Sequence, residues 1–84
     1  MDTIERIIQE WRETASNEAY FSASRVQGRL FDLYGEVADG EAKRVIEMWL
    51  TLTIQRDLFS SAEILELLDD LRARTAGSHP VSAH

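Results

Sequence analysis

The stretch from Glu41 to Leu58, EAKRVIEMWLTLTIQRDL, constrains this chain more than any other. Placed on a helix, Ala42, Val45, Trp49 and Leu52 form one apolar stripe, and Ile46, Leu50 and Ile54 form a second beside it. Met48 widens the first, and only Arg44, Glu47, Thr51 and Gln55 make a fully polar wedge. A helix that is apolar around most of its circumference needs cover on several sides. The pattern therefore predicts an all-α, compact, four-helix bundle-like domain with this third helix at its centre.

The neighbouring segments supply the cover. The first helix is predicted over about 3–15. Asp2 and Glu5 form a capping box, and Ile4, Ile7, Ile8, Trp11 and Ala15 form a narrow stripe. Ser16 and Asn17 break it. The second helix has two readings: Asn17 caps an early start at 18, or Ser24 and Gln27 form a later capping box at 24, and either way it runs to about 36. Its stripe is Ala19, Ala23, Val26, Leu30, Leu33, Tyr34 and Val37, with Tyr20 and Phe31 at one margin. An early start leaves Phe21 off the stripe as an exposed aromatic. The third helix is placed at about 40–57 with Asp39 as its cap. The fourth, at about 61–74, has the fullest start signal: Phe59, Ser60, Glu63 and Ile64 occupy N′, N-cap, N3 and N4, giving a capping box and a hydrophobic staple. Its buried side reads Ile64, Leu65, Leu67, Leu68 and Leu71, and Gly77 and Pro80 mark its end. Residues 1–75 then form a single helical domain and 76–84 a disordered tail. No alternation of period two predicts a strand, and no internal repeat is evident.

At 84 residues the chain accommodates one small domain. Such a domain buries only about 60–65% of its unfolded surface, so its stability is marginal. With no cysteine there is neither a disulfide framework nor a thiolate metal site. The N-terminal residues are acidic where a signal peptide is basic, and no apolar run reaches the roughly 20 residues of a membrane span. These features predict a soluble, cytoplasmic protein.

Fifteen acids oppose nine bases, for a net charge of −6. Nucleic-acid affinity comes largely from Lys and Arg on phosphates, so this balance opposes direct nucleic-acid binding, and it opposes anionic membranes too. A helix-turn-helix reading would make helix three the recognition helix, yet that helix is the most apolar one. The two histidines, His79 and His84, fall in the predicted tail, where no rigid frame supports a metal or a general base. No glycine-rich phosphate loop or dinucleotide fingerprint occurs. The sequence thus predicts no catalytic, cofactor-binding or metal-binding residues, and no enzyme.

What remains is a surface. Glu63, Glu66, Asp69 and Asp70 project from helix four away from its leucines. Glu63 completes a cap and Asp70 has Arg74 four residues on, but Glu66 and Asp69 have no such local role. The bland account is a solvated face. The sharper one is a protein-binding patch for a basic surface on a larger partner, a nucleic-acid-binding groove included. Small acidic antagonists of phage–host and toxin conflict, such as anti-CRISPR and immunity proteins, are of similar size, charge and helicity, which makes an inhibitor or regulator the leading expectation. The alternative is a structural or regulatory homo-oligomer, a homodimer in its simplest form. It would be held by the apolar excess of helices two and three, with Leu50, Ile54 and Phe21 as contacts.

Overall fold

The computed structural model describes residues 3–77. It has four helices, α1 (Thr3–Asn17), α2 (Ala23–Tyr34), α3 (Glu41–Gln55) and α4 (Ser61–Gly77). Two three-residue strands lie in the linkers: β1 (Tyr20–Ser22) between α1 and α2, and β2 (Leu58–Ser60) between α3 and α4. The architecture is the all-α, four-helix bundle-like one that the apolar periodicity predicts, in which α1 packs on α4 and α2 on α3. The strands are a departure. They pair antiparallel, Tyr20 with Ser60, Phe21 with Phe59 and Ser22 with Leu58. Three residues are too few to show alternation in the sequence, and a ribbon this short exists only because the helices hold its strands together.

The strands expose an internal repeat that is not evident in the sequence alone. Phe21 and Phe59 are 38 positions apart, and so are the starts and ends of α1 and α3, the two strands, and the starts of α2 and α4. At this offset Ile8 matches Ile46, Trp11 matches Trp49, Ser22 matches Ser60, Leu30 matches Leu68 and Leu33 matches Leu71. The fold is thus two helix–strand–helix units related by an approximate two-fold axis through the Phe21–Phe59 pair. The hydrogen bonds obey the same exchange: Ala23 N donates to Asp57 O at 2.9 Å, and its mate Ser61 N donates to Ala19 O at 2.8 Å. Buried positions correspond as well, Ile7 with Val45, Val26 with Ile64, Phe21 with Phe59.

This symmetry corrects the central role assigned to helix three. Under the two-fold, α3 is the mate of α1 and occupies an equivalent place. It buries Val45, Ile46 and Thr53, whereas α4 buries Ile64, Leu67, Leu68 and Leu71 and α1 buries Ile7, Ile8, Trp11 and Ala15. Trp49, Leu50 and Leu52 are half-buried and Ile54 is 81% exposed. The wide apolar arc of α3 is therefore only partly covered.

The start of α2 falls between the two predicted ones. Ser22 is the N-cap and accepts from Arg25 N at 3.3 Å. Phe21 precedes it on the strand and points inward, 2% exposed, so it is a core residue and is unavailable as an oligomer contact. The start of α3 also differs. Gly40 takes the N-cap position at φ 149° with no side-chain cap bond, while Asp39 pairs with Lys43 at 3.4 Å. At α4 the capping box is formed as read: Glu63 N donates to Ser60 Oγ at 3.2 Å and Ser60 N to Glu63 Oε1 at 2.9 Å. The Asp2 cap and the tail with His79 and His84 lie outside the described residues.

One ion pair is repeated with its charges reversed. Arg25 grips Glu18 through two bonds of 2.7 and 2.9 Å, and Arg56 grips Glu63 through two of 2.8 Å. Position 18 is the mate of 56 and 25 of 63, so linker and helix have exchanged signs. Both arginines stack on the phenylalanine of their own unit, Arg25 over Phe21 and Arg56 over Phe59. Reversing the first pair should then be tolerated. Glu18→Arg alone will lower the urea midpoint by opposing two arginines. The double variant Glu18→Arg/Arg25→Glu will return to the native midpoint or above it, since a glutamate at position 25 can then complete a capping box with Ser22.

Two glycines should respond in opposite directions. A Cβ at Gly28 would meet nothing within 4 Å, so Gly28→Ala should stabilise by about 0.5–1 kcal/mol through helix propensity. Gly40 has a backbone that L residues rarely adopt, and Gly40→Ala should destabilise by about 1–3 kcal/mol. Chemical denaturation of the two variants beside the native chain decides both.

Candidate interaction surface

The acids of helix four divide once their neighbours are known. Glu63 is bound by Arg56 and by Ser60. Asp69 pairs with Arg12 of α1, and Asp70 pairs with Arg74 at 2.9 Å. Arg74 also reaches Glu41 of α3 at 2.7 Å. Only Glu66 is left without a hydrogen-bond or ion partner among the described residues. Three of the four predicted contact acids are therefore engaged within the fold, Glu63 with the preceding linker, Asp69 with α1 and Asp70 inside α4 itself. Sequence reasoning finds the Asp70–Arg74 spacing, but Arg12–Asp69 joins residues far apart in the chain.

Glu63 is the most strongly perturbed acid. The two guanidinium bonds from Arg56, with the Ser60 backbone N–H second, lower its pKa from the ordinary 4.5 to about 2. Glu18 is lowered for the same first reason, its bonds to Arg25. A depressed folded pKa contributes stability that is present above the unfolded value and lost as pH falls toward the folded one. For Glu63 that window runs from about pH 4.5 down to about 2. Since the pair is partly solvated, its worth is that of a surface bridge plus a cap. Glu63→Ala should cost about 1–2 kcal/mol at neutral pH. Glu63→Gln should cost less, because it keeps the cap geometry, and it should flatten the acid-side loss of stability in a pH series of denaturation curves.

The cations are largely spoken for. Glu5 takes Arg72, Glu10 lies 3.9 Å from Arg29, and Lys43 pairs with Asp39 while stacking on Tyr34. Among the described residues only Arg6 and Arg44 lack an acidic or hydrogen-bonding side-chain partner, whereas Glu13, Asp32, Glu36, Glu47, Asp57 and Glu66 lack a cation. The surplus negative charge thus has no internal neutraliser.

A second surface lies along α2 and α3. Gln27 Nε2 donates to Thr53 Oγ1 at 2.9 Å, and Tyr34 Oη donates to Glu47 Oε2 at 2.9 Å. This bond to a carboxylate, with burial adding to it, raises the tyrosine pKa. Between the two bonds are Phe31, 61% exposed, and Leu50, half-buried, with Ile54 one turn beyond. Leu50 and Ile54 are the predicted oligomer contacts that stay accessible. Phe31 sits at the stripe margin of helix two in the sequence, and that marginal position is the signal that it is not fully covered.

An open groove of about 390 Å³ separates α1 from α2, with Trp11 and Phe21 in its floor and Arg29 and Asp32 on its walls. It carries both signs of charge. Among the described residues no group of three or more acids or histidines is placed to hold a metal ion, and no helix is long and apolar enough to cross a membrane. Comparison with protein-family models, with curated proteins and with solved structures gave no match to the chain.

Proposed function

We propose that this protein is a small acidic protein–protein interaction module, without catalytic activity of its own, that inhibits or regulates a larger protein by covering a basic surface of it. One observation carries this reading. The acids outnumber the bases, and among the described residues every base but Arg6 and Arg44 is paired with an acid at the surface, so the exterior offers unneutralised carboxylates and few free cations. A field of this sign speeds encounter with a basic patch and makes association sensitive to salt. A nucleic-acid-binding groove on the partner fits the same chemistry, as in phage and toxin antagonists of this size and charge. Nucleic acid and anionic membranes do not fit it. Absence of cysteine suits a cytoplasmic setting.

The competing reading is a homo-oligomer held by α2 and α3, and it draws on the exposed Phe31 and Ile54. Light scattering separates the two, since a monomer at micromolar concentration removes the oligomer.

The test of the leading reading is capture of partners from the native host at low and high salt. A specific basic protein should be retained at low salt and released as salt rises. Glu66→Lys, at a site with no internal partner among the described residues, should weaken capture without lowering stability if helix four contributes. Failure to retain any specific protein, or retention indifferent to salt, rejects the electrostatic module.

A further inference from the structure

The main packing contacts of this fold, α1 on α4 and α2 on α3, join one helix–strand–helix unit to the other, and so does the ribbon. The bonds that set their register cross in the same way. Ala23 N reaches Asp57 O, Ser61 N reaches Ala19 O, Gln27 bonds Thr53 and Tyr34 bonds Glu47. Arg12 pairs with Asp69, where the mate positions hold Leu50 and Phe31. The Glu18–Arg25 and Arg56–Glu63 pairs, by contrast, stay within a unit, one in each. Each unit therefore has its own local bonds, and the surface that covers its apolar inner side is the other unit.

One short connection keeps the two units together, residues 35–40 between α2 and α3. It turns back through two bonds, from Glu36 N and Val37 N to Leu33 O. It ends at Gly40, whose φ of 149° suits glycine and which gives α3 no side-chain cap. Opening this turn sacrifices those two bonds and the burial of Val37. Every bond that crosses between the units can then be remade with the same residues of a second copy, so exchange of units is a low-cost route to a dimer.

We infer that the inner face of each unit is also an interface between molecules, and that two copies of this chain associate by exchanging units. In the dimer α1, β1 and α2 of one copy close on α3, β2 and α4 of the other, with residues 35–40 extended as the hinge. The outer faces stay uncovered, so the inference is independent of what they bind, and the dimer displays each of them twice. Concentration decides between the two forms. A short link holds its ends at an effective concentration on the order of millimolar, so a unit in dilute solution meets its own partner first and the closed monomer prevails. Folding near that concentration lets a second copy compete. A dimer once closed reverts only by opening its core, and it therefore persists on dilution.

Refolding from urea tests this. The native chain should return as a monomer at about micromolar concentration and as a dimer at about millimolar concentration, and the dimer should survive dilution on a sizing column. Gly40→Ala should lower, by at least about tenfold, the refolding concentration at which half the chains are dimeric. Each dimer frees two links from a backbone that alanine resists.

A disulfide distinguishes exchange from contact between closed monomers. The chain has no cysteine, and Tyr20 and Ser60, one in each unit, stand opposite each other in the ribbon at a separation that a disulfide spans. Tyr20→Cys/Ser60→Cys is refolded under reducing conditions at about millimolar concentration. The dimer is then isolated, oxidised and run denatured without reductant. It should migrate as two covalently joined chains, and the monomer fraction as one. If loss of the Ser60 cap prevents folding, the mate pair Ser22→Cys/Leu58→Cys takes its place with the same expected result.

Monomer at both concentrations, in the native and Gly40→Ala proteins alike, overturns the inference. So does a dimer whose oxidised chains separate as single ones, because it would assign association to an outer face. A dimer whose formation is indifferent to Gly40→Ala overturns the hinge at residues 35–40.

Discussion

The backbone pairing of Phe21 with Phe59 is the constraint on which the molecule depends. It does three things at once. It pairs backbone polar groups of the two linkers around the buried Phe21 and Phe59. It sends two phenylalanines to the same inner face, because neighbouring strand residues alternate sides. It also supplies donors at helix starts with acceptors from the opposite unit, Ala23 N to Asp57 O and Ser61 N to Ala19 O. Each unit thereby finishes the other's second helix. The principal helix contacts, α1 with α4 and α2 with α3, run between units for the same reason.

Part of this is legible in the residues. The start of α4 is readable because cap, box and staple lie within six consecutive positions, and each works through local bonds. The stripe of α1 is readable because four of its five members are buried together, with Ile4 partly so. The ribbon is not, since Tyr20–Ser22 has no room for a period and its meaning comes from a strand 38 positions away. The repeat is hidden by the same distance and by drift: at mate positions Thr14 corresponds to Leu52, Arg29 to Leu67 and Gly28 to Glu66. The breadth of the α3 stripe misleads. It reads as central burial, and it reflects an arc covered in its middle, at Val45 and Ile46, and open at its margins, at Met48 and Ile54. On the candidate surface, Leu50 and Ile54 are named by the sequence. Phe21 is named with them, but an apolar residue one place before an N-cap serine can be on a strand facing inward.

The two units have held the same interior and diverged outside it. Ile8 and Ile46, Leu30 and Leu68, and Leu33 and Leu71 keep the core volume, where a change of one methylene is felt. The Glu18–Arg25 and Arg56–Glu63 pairs keep an interaction while exchanging its signs, which a partly solvated bridge permits. The outer faces share least, an ionic closure on one side and Phe31 with Leu50 on the other. A two-fold scaffold of this kind supports two different surfaces on one packing plan.

Because the main interfaces join the units, synthesis leaves the first unit exposed for a time. When α2 has emerged, the apolar sides of α1 and α2 have chiefly each other, and Phe21 lacks its partner. The cover for α1 is α4, the last of these helices to leave the ribosome. Until α4 is made, the cover of Ile8 and Trp11 is incomplete, and exposed apolar surface of this kind is what chaperones and proteases meet on a nascent chain. A stop early in α4 would not merely trim the protein; it would remove Ile64, Leu67, Leu68 and Leu71 and with them the cover of α1.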